Sequence, residues 1–405
     1  MPMFLDTLSV ILTAALRVFS LYFFVIALFC LKKPKRFERV RPKTRFACLI
    51  AARNEEQVIG QLVESLRKQD YPDELYDVYV IPNNCTDDTE GAARRAGANI
   101  FRCIDPVRCK GDVLHQVVAW LLPQSYDAFC VFDADNVVDG QFLARMNDAF
   151  QGGARVAKAS LRVKNPGDSW VSGWYGLYFT LCDLFYTRSR ANCGLSAKLV
   201  GTGFAVHREV FEQLGGWNTK TIAEDAEFAA QCAALGVRVH YVPDAVTYDE
   251  APTTLSVSMR QRRRWCSGIM SVAELRLGAL GPALKRPGAL RAADMMVFLL
   301  SPFTQALSWL PLVLGTLSAA LDGVLDTYVL TLLIGGLGAW AGCTCFGAVL
   351  AKLGGYGTVV VKSILTFPLF MVSWLPLQVL SLVRRTREWK IISHTRSLSV
   401  GELTH

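Results

Sequence analysis

Ala128-Phe129-Cys130-Val131-Phe132-Asp133-Ala134-Asp135 is the stretch on which the fold turns. The apolar run Ala128–Phe132 reads as a strand that stops at an acid, with a second acid two residues on. Alternate residues of an extended segment point to opposite sides, but at a strand end the chain turns, and Asp133 and Asp135 can converge there. A Mg²⁺ or Mn²⁺ held between them would bridge diphosphate oxygens and offset the charge of a leaving group. The competing reading is a solvated turn, with Asn136 and Asp139 as further turn formers. A DxD pair alone is too short to decide.

Outward from this strand the pattern repeats. Phe46–Ala52 reads as a strand, followed by a helix with Ile59, Leu62, Val63 and Leu66 on one face. Val78–Ile81 is a second strand, ending at Pro82-Asn83-Asn84, and Thr86-Asp87-Asp88 offers a helix start. Phe142, Leu143, Met146 and Phe150 line the helix after the third strand. The alternation predicts a largely parallel α/β sheet with helices on both faces and ligands at the carboxyl ends of its strands, where Asn83 and Asp133 to Asp135 fall. From Ala154 to Tyr248 come an aromatic-rich run, Trp170–Tyr186, and the glycine loop Gly201-Thr202-Gly203. A helix Val210–Leu214 stopped by Gly215-Gly216, a helix Glu224–Leu235 ended at Gly236 and a strand Val237–Val242 follow, with no internal repeat evident.

Four stretches run nearly uncharged at spanning length: Thr7–Leu31, Met295–Leu321, Thr327–Ala351 and Ser363–Val383. The first carries Arg17, lacks a basic leader and a small-residue cleavage site, and reads as a retained anchor. The net charge of +8 is concentrated beside these segments, at Lys32 to Arg45 and at Arg384, Arg385, Arg387 and Lys390. Both clusters read as cytoplasmic flanks. Three full crossings after a cytosolic globular part would put the second cluster outside, so Met295–Leu321, with Pro302 and Pro311, is expected to be re-entrant or bent. Basic character that abuts membrane segments, without a base-reading fold, argues against a nucleic-acid partner. The twelve cysteines show no zinc-like spacing and fit a reduced, cytosol-facing domain. A pure transporter is disfavoured by too few apolar runs without paired charges.

Further groups are candidates for chemistry. Asn54-Glu55-Glu56 follows the first strand, where acids either cap a helix or bond a nucleotide. Lys110-Gly111 places a lysine in a loop before a helix, in reach of a phosphate. Glu224-Asp225 opens a helix behind Gly201-Thr202-Gly203 and Gly215-Gly216-Trp217, a wall that a sugar can approach closely. A carboxylate there can act as general base. In Gln261-Arg262-Arg263-Arg264-Trp265, arginine offers planar donors to a diphosphate and tryptophan a stacking face for a pyranose.

This ordered set resembles the membrane-integrated family-2 glycosyltransferases, the group that includes cellulose, chitin, hyaluronan and poly-N-acetylglucosamine synthases. Leu49 to Glu56 is similar to the family's first strand and nucleotide loop, and Asn84 to Thr89 to its second. Phe132 to Asp135 is similar to its metal motif, Gly201-Thr202-Gly203 and Gly215-Gly216-Trp217 to its acceptor-side loops, and Ala223-Glu224-Asp225 and Gln261 to Trp265 to its base and QxxRW motifs. Trp389 through His394-Thr395-Arg396 resembles the tail of hyaluronan-synthase-like members.

The resemblance implies a GT-A fold, a UDP-sugar donor (UDP-GlcNAc or UDP-Glc), Mg²⁺ or Mn²⁺, and inversion at the anomeric carbon. It implies Asp225, with Glu224, as the catalytic acids and Asp135 with Asp133 at the metal. Donor contacts fall to Ala52, Asn54, Glu55, Asn83, Lys110, Asp133, Gln261, Arg264 and Trp265, and acceptor contacts to Gly201, Thr202, Gly203, Trp217 and Trp265. Asn83 stands where many members carry an acid, and Ala223 where threonine is common.

The expected layout is a transmembrane helix over 1–32, a basic cytosolic linker over 33–45, a GT-A domain over 46–270, an interface segment over 271–293, a membrane block over 294–384 and a cytosolic tail over 385–405. The expected enzyme is multi-pass in the plasma membrane with its catalytic domain cytosolic, extending a polysaccharide and helping to export it. Single-sugar transfer to a polyprenyl phosphate or glycolipid is the alternative, and a non-catalytic nucleotide-sugar sensor a lesser one. Expected partners are the donor, a glycan or lipid-linked acceptor and membrane lipids, with an export partner or homo-oligomer left open.

Overall fold

Eight strands form one sheet in the computed structural model, which describes residues 2–386, 396, 398 and 400–403. They are β1 (Phe46–Ala52), β2 (Tyr76–Pro82), β3 (Asn99–Ile100), β4 (Ala128–Asp133), β5 (Val137–Val138), β6 (Val156–Val163), β7 (Phe204–His207) and β8 (Val239–Asp249), in the order β3-β2-β1-β4-β7-β6-β8-β5. Every residue of β1 is buried because the sheet is covered on both faces. Phe46, Cys48 and Ile50 face the helices Ile59–Arg67 and Phe142–Gln151. Ala47, Leu49 and Ala51 face Lys110–Leu121 and Glu224–Ala234. Parallel register sets Ala51 beside Asp133 and Ala52 beside Pro82, so the carboxyl ends of β1, β2 and β4 share one rim.

The sheet is mixed rather than largely parallel. β7 runs antiparallel to both β4 and β6, and β5 antiparallel to β8. The reversal follows the glycine loop: Gly203 adopts φ +64°, and a Cβ there would lie 2.5 Å from the Thr247 hydroxyl. Neither β6 nor β7 is among the expected strands. β7 has only four residues, whereas Ala157 to Val163 of β6 does alternate apolar and polar residues as a strand should.

Four helical stretches are long and apolar enough to cross a membrane: Met3–Leu31, Ala289–Leu321, Leu325–Gly354 and Gly357–Val383. The second and fourth are each interrupted, with helix ending at Leu307 and resuming at Trp309, and ending at Val372 and resuming at Trp374. A five-residue repeat, contrary to the expectation of none, explains both. Ser308-Trp309-Leu310-Pro311-Leu312 and Ser373-Trp374-Leu375-Pro376-Leu377 each place a proline four residues beyond the helix end, where it cannot donate to that carbonyl. The helix Leu255–Leu280, capped by the Thr254 hydroxyl, packs against Glu224–Ala234, Ala289–Leu307 and Trp374–Val383. It therefore joins the globular part to the apolar block. Asp294 ties in the N-terminal helix, accepting from Tyr22 at 2.7 Å and from Arg190 at 3.0 Å.

Candidate active site

The rim of β1 and β4, the 201–203 loop, the first turn of Glu224–Ala234 and the middle of Leu255–Leu280 enclose a cavity of about 530 Å³. Asp133 and Asp135 face it from the end of β4, and Glu224 and Asp225 from their helix N-terminus. Gln261, Arg264 and Trp265 face it from the interface helix, with Glu55, Lys110, Gly201 and Thr202 around them. Asp135 and Asp225 thus share one chamber. Between the helices Ala289–Leu307 and Val361–Val383 the same cavity continues past Phe298, Pro302 and Gln305 to Met371, Trp374 and Gln378.

Lys110 is the ammonium at the centre. Its Nζ donates to Asp133 Oδ1 at 2.5 Å and to the Gly201 carbonyl at 2.6 Å, with Glu224 Oε1 3.9 Å away. Burial pulls its pKa down, but Asp133 and Glu224 outweigh burial and raise it. Burial likewise lifts the two neighbouring acids. Glu224 is pushed up to about 7, with Lys110 opposing and Asp225 and Asp133 adding to the rise. Asp225 is raised by burial, against its Ala226 backbone bond and the pull of Lys110 and Lys198. Burial thus raises both acids at this helix start, Glu224 to about 7.

A hydrogen-bonded frame fixes the DxD turn. Thr202 Oγ1 accepts from the Asp133 amide at 3.1 Å and bonds the Asn136 side chain, which donates to Asp249 at 2.9 Å. Asp135 is 5 % exposed, with Oδ2 accepting from the Glu250 amide at 3.3 Å. Lys164 holds its carbonyl at 2.8 Å and pairs with Glu250 at 3.1 Å. Among the described residues no three His, Cys, Asp or Glu side chains group to hold a metal unaided. The Asp133 and Asp135 carboxylates are nevertheless the hard oxygen donors that Mg²⁺ or Mn²⁺ takes, and Mg²⁺ commonly uses one or two carboxylates plus substrate phosphates. The donor set fits such an ion.

Trp265 marks the junction with the apolar helices, 6.2 Å from Trp374 between ring centroids and inclined by 24°. Tyr175 lies edge-on to Trp265 at 6.0 Å.

The structure leaves several sequence candidates outside the cavity. Trp217 is a core residue, stacked on Phe228 at 4.6 Å with its N–H on the Thr219 hydroxyl, so its ring cannot meet an acceptor. Gly203 turns the chain against Thr247 instead of facing the cavity. Ala52 is buried, its carbonyl taken by the Asn83 amide and side chain, both at 3.0 Å. Asn54, at φ +58°, clasps Thr86 through both ends of its amide. Asn83 is 5 % exposed beneath the rim. Trp389 to Thr395 lie outside the described residues; Arg396 is placed beside the site, its amide 3.2 Å from Glu250 Oε2 and its guanidinium 3.3 Å from Asp168. Sequence reading missed Lys198, Gln305, Trp374 and Gln378. The amides had a signal, since a polar side chain inside an apolar span normally faces a cavity or another polar group.

Comparison with known proteins agrees with this architecture. Residues 42–268 match the model of a family described as glycosyltransferase like family 2. A β-monoglucosyldiacylglycerol synthase of Nostoc sp. is 28 % identical over 268 residues, covering 63 % of this chain and 55 % of that protein. The poly-β-1,6-N-acetyl-D-glucosamine synthase of Staphylococcus aureus is 24 % identical over 225 residues, covering 54 % and 53 %. The chain spans about half the length of the curated relatives it matches. Among solved structures, the mannosyltransferase PcManGT from Pyrobaculum calidifontis, in complex with GDP-Man and Mn²⁺, superposes with a TM-score of 0.61 at 20 % identity, covering 91 % of this chain and 99 % of that one. The fold is GT-A, and with more than half its length matched by the family model the chain belongs to glycosyltransferase family 2.

Proposed function

We propose that this cavity transfers a sugar, with inversion, from a UDP-sugar to a hydroxyl of an acceptor that arrives from the membrane. The observation that carries the reading is that three acidic and basic clusters, far apart in sequence, open on one chamber that continues between apolar helices. The acceptor oxygen attacks the anomeric carbon from the side opposite the diphosphate. The bond to UDP breaks with its electron pair leaving on the diphosphate, and the acceptor proton passes to Asp225. Arg264 faces the departing charge, and Lys110, which bridges Asp133 and the Gly201 carbonyl, can turn to a phosphate oxygen. Glu55 at the rim is suited to accept from a ribose hydroxyl or the uracil N3–H. Asp133 and Asp135 would hold a divalent ion. Such an ion supplies charge stabilisation to the diphosphate when bound.

UDP-Glc and UDP-GlcNAc are the donors we favour. The layout we propose sets the globular domain on the cytosolic side of a multi-pass membrane protein, behind the basic 33–45 segment. For the product, single addition to a lipid acceptor is preferred over polymer elongation. The stronger likeness is to a protein named for glycolipid synthesis, and the cavity opens between two broken helices. Polymer synthesis retains support from the weaker likeness to a poly-N-acetylglucosamine synthase. Full-length protein in nanodiscs, given each donor with Mn²⁺, should release UDP and yield a discrete lipid-extractable product. Release of a soluble ladder would favour polymerisation; binding of donors without any release would favour a sensor.

A further inference from the structure

Resting on that reading, we infer that Gln378, Gln305 and Trp374 form, with Gln261, a head-group site for the acceptor, and that the head group is a neutral sugar carried on a lipid. Gln305 and Gln378 lie in two different candidate membrane spans and meet there, the Gln378 side-chain amide donating to Gln305 Oε1. Gln378 is 3 % exposed, and its own Oε1 has no hydrogen-bond partner among the described residues. The same holds for the buried Trp374 Nε1 and Gln261 Oε1. All four side chains line the cavity that holds Asp225. Buried polar atoms are costly when unbonded, and polar groups within membrane spans commonly mark a substrate path.

The unmet demand has a definite chemistry. Two carbonyl oxygens seek donors and one indole N–H seeks an acceptor. Hydroxyls serve both roles, so a group with at least two of them satisfies the site. A phosphate dianion only accepts, and two of the three atoms would repel it. The near-parallel Trp265 and Trp374 rings offer apolar faces to the C–H side of a pyranose. Beyond them Phe298, Pro302, Met371 and Leu375 line the exit between the interrupted helices, where lipid chains can leave. The acceptor this combination fits is a sugar-headed neutral lipid, in preference to a polyprenyl phosphate or a free oligosaccharide.

The test uses full-length protein in nanodiscs with UDP-Glc and UDP-GlcNAc as donors. Acceptors are monoglucosyl-dioleoylglycerol, dioleoylglycerol, undecaprenyl phosphate and soluble cello- and chito-oligosaccharides. The glucosyl lipid should give the highest kcat/KM. Gln378→Leu should raise its KM tenfold or more, and Trp374→Phe, which keeps an aromatic ring but removes the N–H together with the five-membered ring, about threefold, with UDP affinity reporting that the cleft is formed. Preference for dioleoylglycerol, undecaprenyl phosphate or a soluble glycan overturns the inference, as does an acceptor KM within twofold of wild type in either variant. No UDP release from either donor overturns the transferase reading itself, and this inference with it.

Discussion

Arg262 Nη1 donates to the Ser373 hydroxyl at 2.7 Å and to the Phe370 carbonyl at 3.1 Å, tying the interface helix to the break in the last apolar span. Its guanidinium is fully buried, 4.3 Å from the Phe370 ring and 5.3 Å from that of Trp374. Arg262 therefore supports the backbone around a helix break whose ladder Pro376 cannot complete. Its near neighbour Arg264 lines the cavity instead. Within one basic run, then, one arginine holds structure and another faces the cavity.

The two arginines should separate experimentally. Arg262→Ala leaves buried oxygens short of a charged donor and should destabilise the protein by about 1.5–3 kcal/mol. Arg264→Ala should leave thermal unfolding nearly unchanged while lowering turnover on the order of a hundredfold, the scale for one lost donor to a developing negative charge. Thermal melts beside UDP-release rates check this. Parallel losses in both measurements for both variants would mean the division of labour is wrong.

Asp225→Asn keeps shape and removes the proton acceptor. Turnover should fall by about two to four orders of magnitude while UDP-sugar binding survives. Calorimetric titration of the variant with UDP-Glc or UDP-GlcNAc, next to single-turnover rates, distinguishes this from lost binding. A variant with wild-type turnover would retire Asp225 as base and turn attention to Glu224.

Asp225 must be ionised to take a proton, and burial raises its pKa, so kcat/KM should fall as pH drops through the titration of the Glu224–Asp225 pair, with Glu224 near 7. Lys198 is one of the positive groups that hold Asp225 down. Removing that charge in Lys198→Met disfavours the carboxylate, raises its pKa further and should move the acid limb to higher pH. An unmoved limb, or one displaced to lower pH, contradicts the assignment of the base.

Much of the site was legible because its parts are tied to strand and helix ends. The apolar run into Asp133 marks a strand end, and the helix expected over Glu224–Leu235 before Gly236 is found over Glu224–Ala234. What could not be read was pairing direction. β7 is too short to announce itself, and its reversal depends on a contact between Gly203 and Thr247, 44 residues away. Trp217 misled for a related reason, since a tryptophan after two glycines looks exposed until Phe228, a residue of another helix, is seen beneath it.

Removal of divalent ions with EDTA should abolish transfer, and added Mn²⁺ or Mg²⁺ should restore it. Asp135→Asn retains the bulk that rests on the Glu250 amide but loses charge, so UDP with Mn²⁺ should raise the melting temperature of wild type and not of the variant. Full transfer in EDTA would remove the metal from the scheme.

Gly268 and Ala223 set the distance between the Leu255–Leu280 helix and the acids Glu224 and Asp225. A Cβ on Gly268 would lie 2.7 Å from that of Ala223, the residue just before Glu224 and Asp225. Neither side can yield cheaply, because Gly268 is buried in the Leu255–Leu280 helix and Ala223 leads into the turn that aims the acids. Gly268→Ala should cost about 1–3 kcal/mol through overpacking and displace Asp225 from the acceptor. Its signature is a fall in kcat beyond the change in donor KM, since the donor side, apart from Gln261, Arg264 and Trp265 on the Leu255–Leu280 helix, is built at the ends of β1 and β4, away from this contact. Ala223→Thr should behave alike, and the pair combined should be no worse than additive only if the two helices can separate. A Gly268→Ala variant with wild-type kcat would show that the spacing of these helices does not position the acids.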